Sequence, residues 1–265
     1  MAIEGLDITT PASARIYDYL GGGKDNFAPD REVGDKVKAA SPYAEVTVRA
    51  NRRFMARSAR YLAHAKGIRQ FLDVGTGIPT KPNLHEVVQG VDPTSLVVYV
   101  DNDPIVLVHA RALLKSNPQG RTAYIDADMY DPKAILNDAA FTDAIDLSRP
   151  VAVTLVAVLH HVTDDDVAAG IAATLMAPMP SGSALVISAT TIDNDPTIGA
   201  GGLKAYRSGG VPVRERTRAQ VQALFGGLPI EDPGVTLVHR WRPDDHEAGI
   251  TDEQVFMYGG VAIKP

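Results

Sequence analysis

The run Arg69–Gly77, RQFLDVGTG, decides the fold. RQFLDV reads as a strand. It stops at Gly75 and Gly77, two glycines one residue apart, and a helix follows from about Asn83. Closely spaced glycines let the backbone turn tightly and let a ligand approach it. Towards the C-terminus the same alternation repeats. SLVVYV (Ser95–Val100) precedes a predicted helix over Pro104–Lys115, and RTAYID (Arg121–Asp126) a helix from about Pro132. VAVTLVAVL (Val151–Leu159), apolar throughout as a buried parallel strand should be, precedes a helix over Asp164–Met176. SALVISAT (Ser183–Thr190) is a fifth strand, and Thr217–Phe225 a helix with Thr217 as candidate N-cap. Strands separated by helices predict right-handed βαβ units: an α/β, doubly wound, mostly parallel sheet. TLVHRW (Thr236–Trp241) and VFMYGGVAI (Val255–Ile263) have less than a helix between them and are expected to pair as an antiparallel hairpin at the sheet edge.

Towards the N-terminus the chain is helical. Pro11–Leu20 reads as a short helix, broken by GGGKDNFAPD (Gly21–Asp30), and Arg31–Ala40 as a second. A third runs from about Pro42 to Lys66, with Ser41 as a possible cap and Gly67 as a stop. On it Val46, Ala50, Phe54, Tyr61 and Ala65 fall near one stripe, and Arg49, Arg53, Arg57 and Arg60 share a face that reads as solvated. Residues 1–66 are thus expected to form an N-terminal helical extension and lid, and residues 67–265 the sheet domain, the two packed as one unit. The segment Thr191–Arg216, with Gly199, Gly201, Gly202, Gly209 and Gly210, reads as a long flexible loop near the site rim.

Composition narrows the classes. The absence of cysteine excludes disulfides and thiolate chemistry, and fits a reducing compartment. A formal charge of −6 argues against a general nucleic-acid binder. No basic, apolar leader opens the chain, and the longest apolar run, Val151–Leu159, is far short of the ~20 residues of a membrane helix. The expectation is a cytoplasmic protein with no membrane partner.

In doubly wound sheets ligands bind beyond the carboxyl ends of the strands, so those ends carry the chemistry. The first ends in Asp73, Gly75, Thr76 and Gly77. The second ends in Asp101-Asn102-Asp103-Pro104, where the Asp101 carboxylate is placed to accept hydrogen bonds from ribose hydroxyls and Asp103 to cap the next helix. The third ends in Asp126-Ala127-Asp128-Met129. Asp128 is the candidate for an adenine amino group, against the simpler reading that Asp128 or Asp131 caps the next helix. The fourth ends in His160 and His161, which could take a proton from an acceptor, hydrogen-bond it or line the pocket. Two adjacent histidines without further ligands do not make a metal site, and none is expected.

An adenosine ligand leaves NAD and S-adenosylmethionine. NAD is usually held by G-x-G-x-x-G, but here the third position is Thr80, and Pro79 removes an N–H donor where a pyrophosphate needs one. An acid after the third strand suits an exposed adenine edge. The balance favours S-adenosylmethionine.

The sequence also resembles the bacterial S-adenosyl methyltransferase family long filed as a domain of unknown function and common in actinomycetes. The resemblance spans nearly the whole chain. It is most specific in ARIYDYLGGGKDNFAPDRE (Ala14–Glu32), which general class I methyltransferases lack, and continues in FLDVGTGIPTKPNLHEVVQ (Phe71–Gln89), VVYVDNDPIVLVHARALL (Val97–Leu114) and AYIDADMYDP (Ala123–Pro132). It implies the Rossmann-like class I methyltransferase sheet of seven strands with the last reversed. It also implies S-adenosylmethionine as methyl donor and S-adenosylhomocysteine as product. Asp73, Gly75, Thr76 and Gly77 would line methionine and ribose, Asp101 with Asn102 the ribose, and Asp128 with Met129 the adenine. Tyr19, Gly22, Gly23, Lys24 and Asn26 would cover the cofactor, since a glycine-rich loop can close over a ligand and its Lys and Asn can meet a carboxylate.

Two departures stand out. The family typically has leucine where Gly21 stands, which predicts a more mobile loop. Ser188-Ala189-Thr190-Thr191 replaces a common Ser-His-Ala-Thr, which predicts a difference at the acceptor if that histidine handles it. A sulfonium methyl is already activated, so the protein mainly needs to position donor and acceptor and exclude water. His160 and His161 are the candidate bases. The expected acceptor is a small molecule, whose identity the sequence does not give, and no oligomeric state is legible. The competing readings are a non-catalytic binder of S-adenosylmethionine and an NAD-dependent oxidoreductase.

Overall fold

The computed structural model describes residues 6–106, 108 and 116–265. Among the described residues seven strands form one sheet in the order β3-β2-β1-β4-β5-β7-β6. They are β1 Gln70–Val74, β2 Leu96–Asp101, β3 Arg121–Asp126, β4 Val151–Val156, β5 Ala184–Thr190, β6 Thr236–Leu237 and β7 Met257–Ile263. β1 pairs parallel with both β2 and β4, and among the described strands only β7 is reversed, pairing antiparallel with β5 on one side and β6 on the other. The strand order reverses between β1 and β4, which opens a crevice at their carboxyl ends.

The helices are α1 Ser13–Gly21, α2 Ala28–Ala40, α3 Ala44–Ala65, α4 Leu84–Val91, α5 Pro132–Asn137, α6 Ala139–Thr142, α7 Asp165–Met176, α8 Pro196–Ser208 and α9 Arg218–Ala223. Residues 104–106 are also helical, and most of the helix expected over Pro104–Lys115 lies outside the described residues. Side chains alternate across the sheet with period two. Phe71, Val97, Ala152 and Val186 face Phe54 and Leu62 of α3 and Val88 of α4. Leu72, Val98, Val153 and Leu185 face Ile135, Phe141, Ile171, Leu175 and Val221 on the other side. A third cluster joins Ile16, Leu20, Val33, Val37 and Val48 to Ala205 of α8.

Several expectations change. α2 begins at Ala28, because Pro29 suits a first turn and Asp30 accepts the Phe27 N–H at 2.8 Å and the Ala12 N–H at 2.9 Å. On α3, Ala50 and Phe54 are buried, but Val46 and Tyr61 are only partly so and Ala65 is exposed. The arginine face of α3 is not uniformly solvated: Arg57 is buried, pairs with Glu247 and donates to Trp241 O and Val238 O. Those carbonyls would otherwise serve a strand. The chain therefore leaves β6 after Leu237, turns through Val238–Arg240 and buries Trp241 completely. The late strands do pair antiparallel at the sheet edge, β6 outermost, but β6 holds only two of the six residues expected of it and β7 also pairs with β5.

The segment after β5 is a loop only in part, at 191–195 and 209–216, with a helix between. α8 starts on an Asp195 cap with Pro196 at its first position. Its glycines mark close packing: a Cβ on Gly202 would lie 3.2 Å from Ser41 Cβ, and one on Gly201 3.3 Å from Ala40 Cβ. The Gly21–Phe27 loop is likewise tied. Gly22 takes the left-handed cap of α1 at φ +86°, and Asp18 accepts from Asp25 N at 3.0 Å and Asn26 Nδ2 at 2.8 Å. Among the described residues no helix is long and apolar enough to cross a membrane.

Candidate functional site

A cavity of about 620 Å³ lies at the carboxyl ends of β1–β4, roofed by α1 and α3. That size is within the ~300–1,000 Å³ range of small-molecule sites. Its floor is a hydrogen-bonded knot. Gly75 N and Thr76 N donate to Val100 O at 2.9 and 3.2 Å, so the turn after β1 is pinned to the end of β2. Asp101 completes the join. Its Oδ2 accepts from Gly77 N at 2.8 Å, its Oδ1 accepts from Asp103 N at 3.0 Å, and its main-chain O accepts from Ala127 N beyond β3. Each carboxylate oxygen keeps a second acceptor site for a ligand hydroxyl.

The two glycines do different things. Gly75 is left-handed (φ +74°), and a Cβ there would sit 2.3 Å from Val158 Cγ2. Gly77 is also left-handed (φ +67°), but a Cβ there would meet nothing within 4 Å; that space belongs to the cavity. This open cradle beside an acidic acceptor fits the adenosine and methionine parts of S-adenosylmethionine.

Asp73 faces the cavity from β1. Its carboxyl is pushed up to about 6, burial outweighing the Thr154 hydroxyl hydrogen bond and the Arg52 charge. Burial also raises Asp101 above the ordinary carboxylate range, against the N–H donors that hold its charged form. Arg52 reaches over the cavity from α3 and donates to Thr80 O and Pro82 O.

β4 is shorter than expected. It stops at Val156, Ala157 takes φ +57°, and Leu159–His161 form a 3-10 turn. Ala157 N is held by Ser188 Oγ at 2.9 Å, and Ser188 Oγ in turn donates to Asn51 Oδ1 at 2.7 Å. A non-glycine residue in that region stores about 1–2 kcal/mol of strain. The turn is clamped by Arg216, fully buried, which donates to Leu159 O at 2.8 Å, Val162 O at 2.7 Å and Asp165 Oδ1 at 2.9 Å. Arg214 N adds a bond to His160 O at 2.8 Å.

The clamp fixes the two imidazoles with ring centroids 4.4 Å apart. Burial holds His160 well below the usual histidine range, with His161 and Arg216 adding to the effect, and burial also lowers His161. Both rings are therefore neutral at pH 7. His161 Nδ1 lies 2.7 Å from Pro212 O. A carbonyl only accepts, so Nδ1 carries the hydrogen and Nε2 keeps the lone pair.

Asp73, Gly75, Thr76, Gly77, Asp101, Asn102, Asp128, Met129, His160, His161 and Gly23 all line this cavity. Tyr19, Gly22, Lys24 and Asn26 do not. Tyr19 turns away to donate to Asp35 at 2.6 Å, Lys24 is exposed, and the Asn26 amide is occupied by Asp18 and by Gly23 O. The N-terminal segment instead contributes Tyr17 and Asp18 from α1. Asp131, not Asp128, caps α5, while one Asp128 oxygen accepts from Tyr130 N at 2.9 Å. Ala189 is buried in the core and is not among the residues lining this cavity. The sequence alone assigned no role at the site to Tyr17, Arg52, Tyr206 or Arg216. For Arg52 the available signal was its place one step off the buried stripe of α3. Among the described residues no group of three or more His, Asp or Glu side chains is gathered as a metal site.

A family model described as S-adenosyl methyltransferase matches residues 1–265. The chain is similar to a DUF574 family protein from Streptomyces avermitilis MA-4680, with 49% identity over 98% of this chain and 99% of that one and a TM-score of 0.95. It is similar to a protein from Thermobifida fusca YX, with 36% identity over 98% and 97% and a TM-score of 0.89. The fold extends to magnesium protoporphyrin IX methyltransferase from Synechocystis PCC 6803, solved with bound SAM, at 12% identity over 94% and 90% and a TM-score of 0.52. No curated protein matches the chain.

Proposed function

The chain belongs to the S-adenosyl methyltransferase family, and from that premise we propose that it methylates a small molecule, with the cavity beyond β1–β4 holding the donor at one end and the acceptor beside His160 and His161 at the other. The observation that carries this reading is one continuous cavity lined by the Gly75–Gly77 turn, Asp101, Asp128, Met129 and both histidines. S-adenosylmethionine, when bound, supplies a sulfonium methyl whose C–S electron pair stays on sulfur on transfer.

Asp101 accepts from ribose hydroxyls, with Asn102 alongside. Asp128 accepts from the adenine amino group, and Met129 covers the ring. Asp73 and the Gly75–Gly77 backbone orient the methionine end, and Gly23 on the α1–α2 loop closes over it. α1 and the loop after it act as a lid that excludes water from the reacting end. His161 Nε2 is the lone pair available to take the proton that the acceptor gives up; the neighbouring His160 orients the acceptor.

The test is to follow S-adenosylhomocysteine formation from S-adenosylmethionine across a panel of small hydroxyl, amine and carboxylate acceptors. Turnover with a small acceptor, lost in His161→Ala, supports the reading. Turnover only on nucleic acid or protein contradicts it.

A further inference from the structure

Beside the main cavity lies a second one of about 80 Å³. Tyr17, Val48, His160 and Tyr206 line both and form the partition between them. The two chambers differ in chemistry. The larger carries Asp73, Asp101, Asp128, Arg52 and Lys81; among the described residues the smaller has no Asp, Glu, Lys or Arg in its lining.

The hydroxyls of the smaller chamber are largely spent on the fold. Thr47 Oγ1 donates to Gln254 O at 3.2 Å and accepts from Phe256 N at 3.1 Å; Thr190 Oγ1 donates to Phe256 O at 3.1 Å; Thr191 Oγ1 accepts from Asp193 N at 3.1 Å. His160 is different. It is 7% exposed, and among the described residues its buried Nδ1 has no hydrogen-bond partner. Burial keeps the three titratable partition groups uncharged, lowering His160 and raising Tyr17 and Tyr206. A charged group entering this chamber would lose its hydration and meet no counter-ion. At ~10–15 Å³ for each water-sized group, the space takes roughly half a dozen heavy atoms, a single ring or a branched alkyl group.

We propose that this annex is the acceptor's subsite, and that the acceptor is an uncharged molecule that seats a small apolar ring or branched alkyl group there and presents a hydroxyl to His160. The proposal rests on the methyltransferase reading above. It makes Leu203 and Val213, which line the annex and not the donor cavity, specificity-determining residues.

The experiment uses the full chain saturated with S-adenosylhomocysteine, titrated calorimetrically with 4-methylphenol, benzoate and benzylamine. The expected result is binding of 4-methylphenol at least tenfold tighter than of either charged probe. Leu203→Phe should weaken 4-methylphenol at least tenfold and leave S-adenosylhomocysteine affinity within twofold. Val213→Leu fills the same space with one methylene and replaces Leu203→Phe if that variant melts early. Binding of the charged probes as tight as that of the phenol, unchanged phenol binding in the filled variants, or no phenol binding at all overturns the annex assignment. Absence of S-adenosylhomocysteine binding to the unaltered protein is a separate result and overturns the methyltransferase reading instead.

Discussion

Gly77 N–H donates to Asp101 Oδ2 at 2.8 Å, so the turn that leaves β1 is fastened to the acid that ends β2. The two motifs that mark the site in the sequence are therefore one structural unit. The carboxylate sets the shape of the glycine turn before any ligand arrives.

The glycines of that turn should separate fold from function. Gly75→Ala forces a left-handed alanine and drives its Cβ into Val158, which should cost about 2–5 kcal/mol. Gly77→Ala meets open space and should cost about 1 kcal/mol of backbone strain while obstructing the cavity. Thermal melting should show a drop of many degrees for the first and a small one for the second. S-adenosylhomocysteine affinity should fall for Gly77→Ala despite its near-normal melting.

Asp73 gives a pH signature. Its carboxyl is pushed up to about 6, above its ordinary 3.8, so the native state binds more protons than the unfolded chain between those values. This group's contribution therefore makes stability fall as pH rises through that window. Asp73→Asn, which keeps an acceptor for the Thr154 hydroxyl, should raise the melting temperature at pH 7 and change it little at pH 4. A variant that gains nothing at pH 7 contradicts the burial argument.

The histidines titrate in the opposite sense. Both sit below the ordinary 6.5, so the unfolded chain binds more protons once pH drops under that value, and stability from their neutral forms is lost as pH falls. At neutral pH, His161→Ala should lower kcat about 10²–10⁴-fold with S-adenosylhomocysteine affinity unchanged. His160→Ala should act mainly on the acceptor's KM. Nitrogen NMR of the imidazoles should find His161 as the Nδ1–H form at pH 7; the Nε2–H form would remove its role as base.

Arg216 is the positioning residue for that pair. Arg216→Met leaves the carbonyls of Leu159 and Val162 without their donor, a loss of about 1–3 kcal/mol for each, while the half-exposed Asp165 keeps Arg214. Melting should drop accordingly. The histidine NMR signals should shift and kcat should fall, while S-adenosylhomocysteine affinity stays within threefold. Unmoved histidine signals would reduce Arg216 to a purely structural role.

The parts of the molecule legible in the sequence are those fixed locally. The β1 turn, the Asp101 position and the Thr217 cap need only neighbouring residues to declare themselves, and the structure contains all three. What sequence reading missed depends on distant partners. The glycines of α8 read as flexibility because Ser41 and Ala40, which they pack against, lie far away in the chain. Arg57 read as solvated because Glu247 and the Val238 carbonyl are invisible from α3. Lys24 and Asn26 read as cofactor contacts because nothing local shows that Asp18 claims the Asn26 amide.

If the Gly75–Gly77 turn and Asp101 hold S-adenosylmethionine, as proposed above, calorimetric titration of the protein and of Asp101→Ala with S-adenosylmethionine, S-adenosylhomocysteine and NAD will show it. The expected result is micromolar binding of the first two to the unaltered protein, none of NAD, and a loss of at least tenfold, about 1.4 kcal/mol, in Asp101→Ala. Binding of NAD alone, or Asp101→Ala binding as tightly as the unaltered protein, would contradict it.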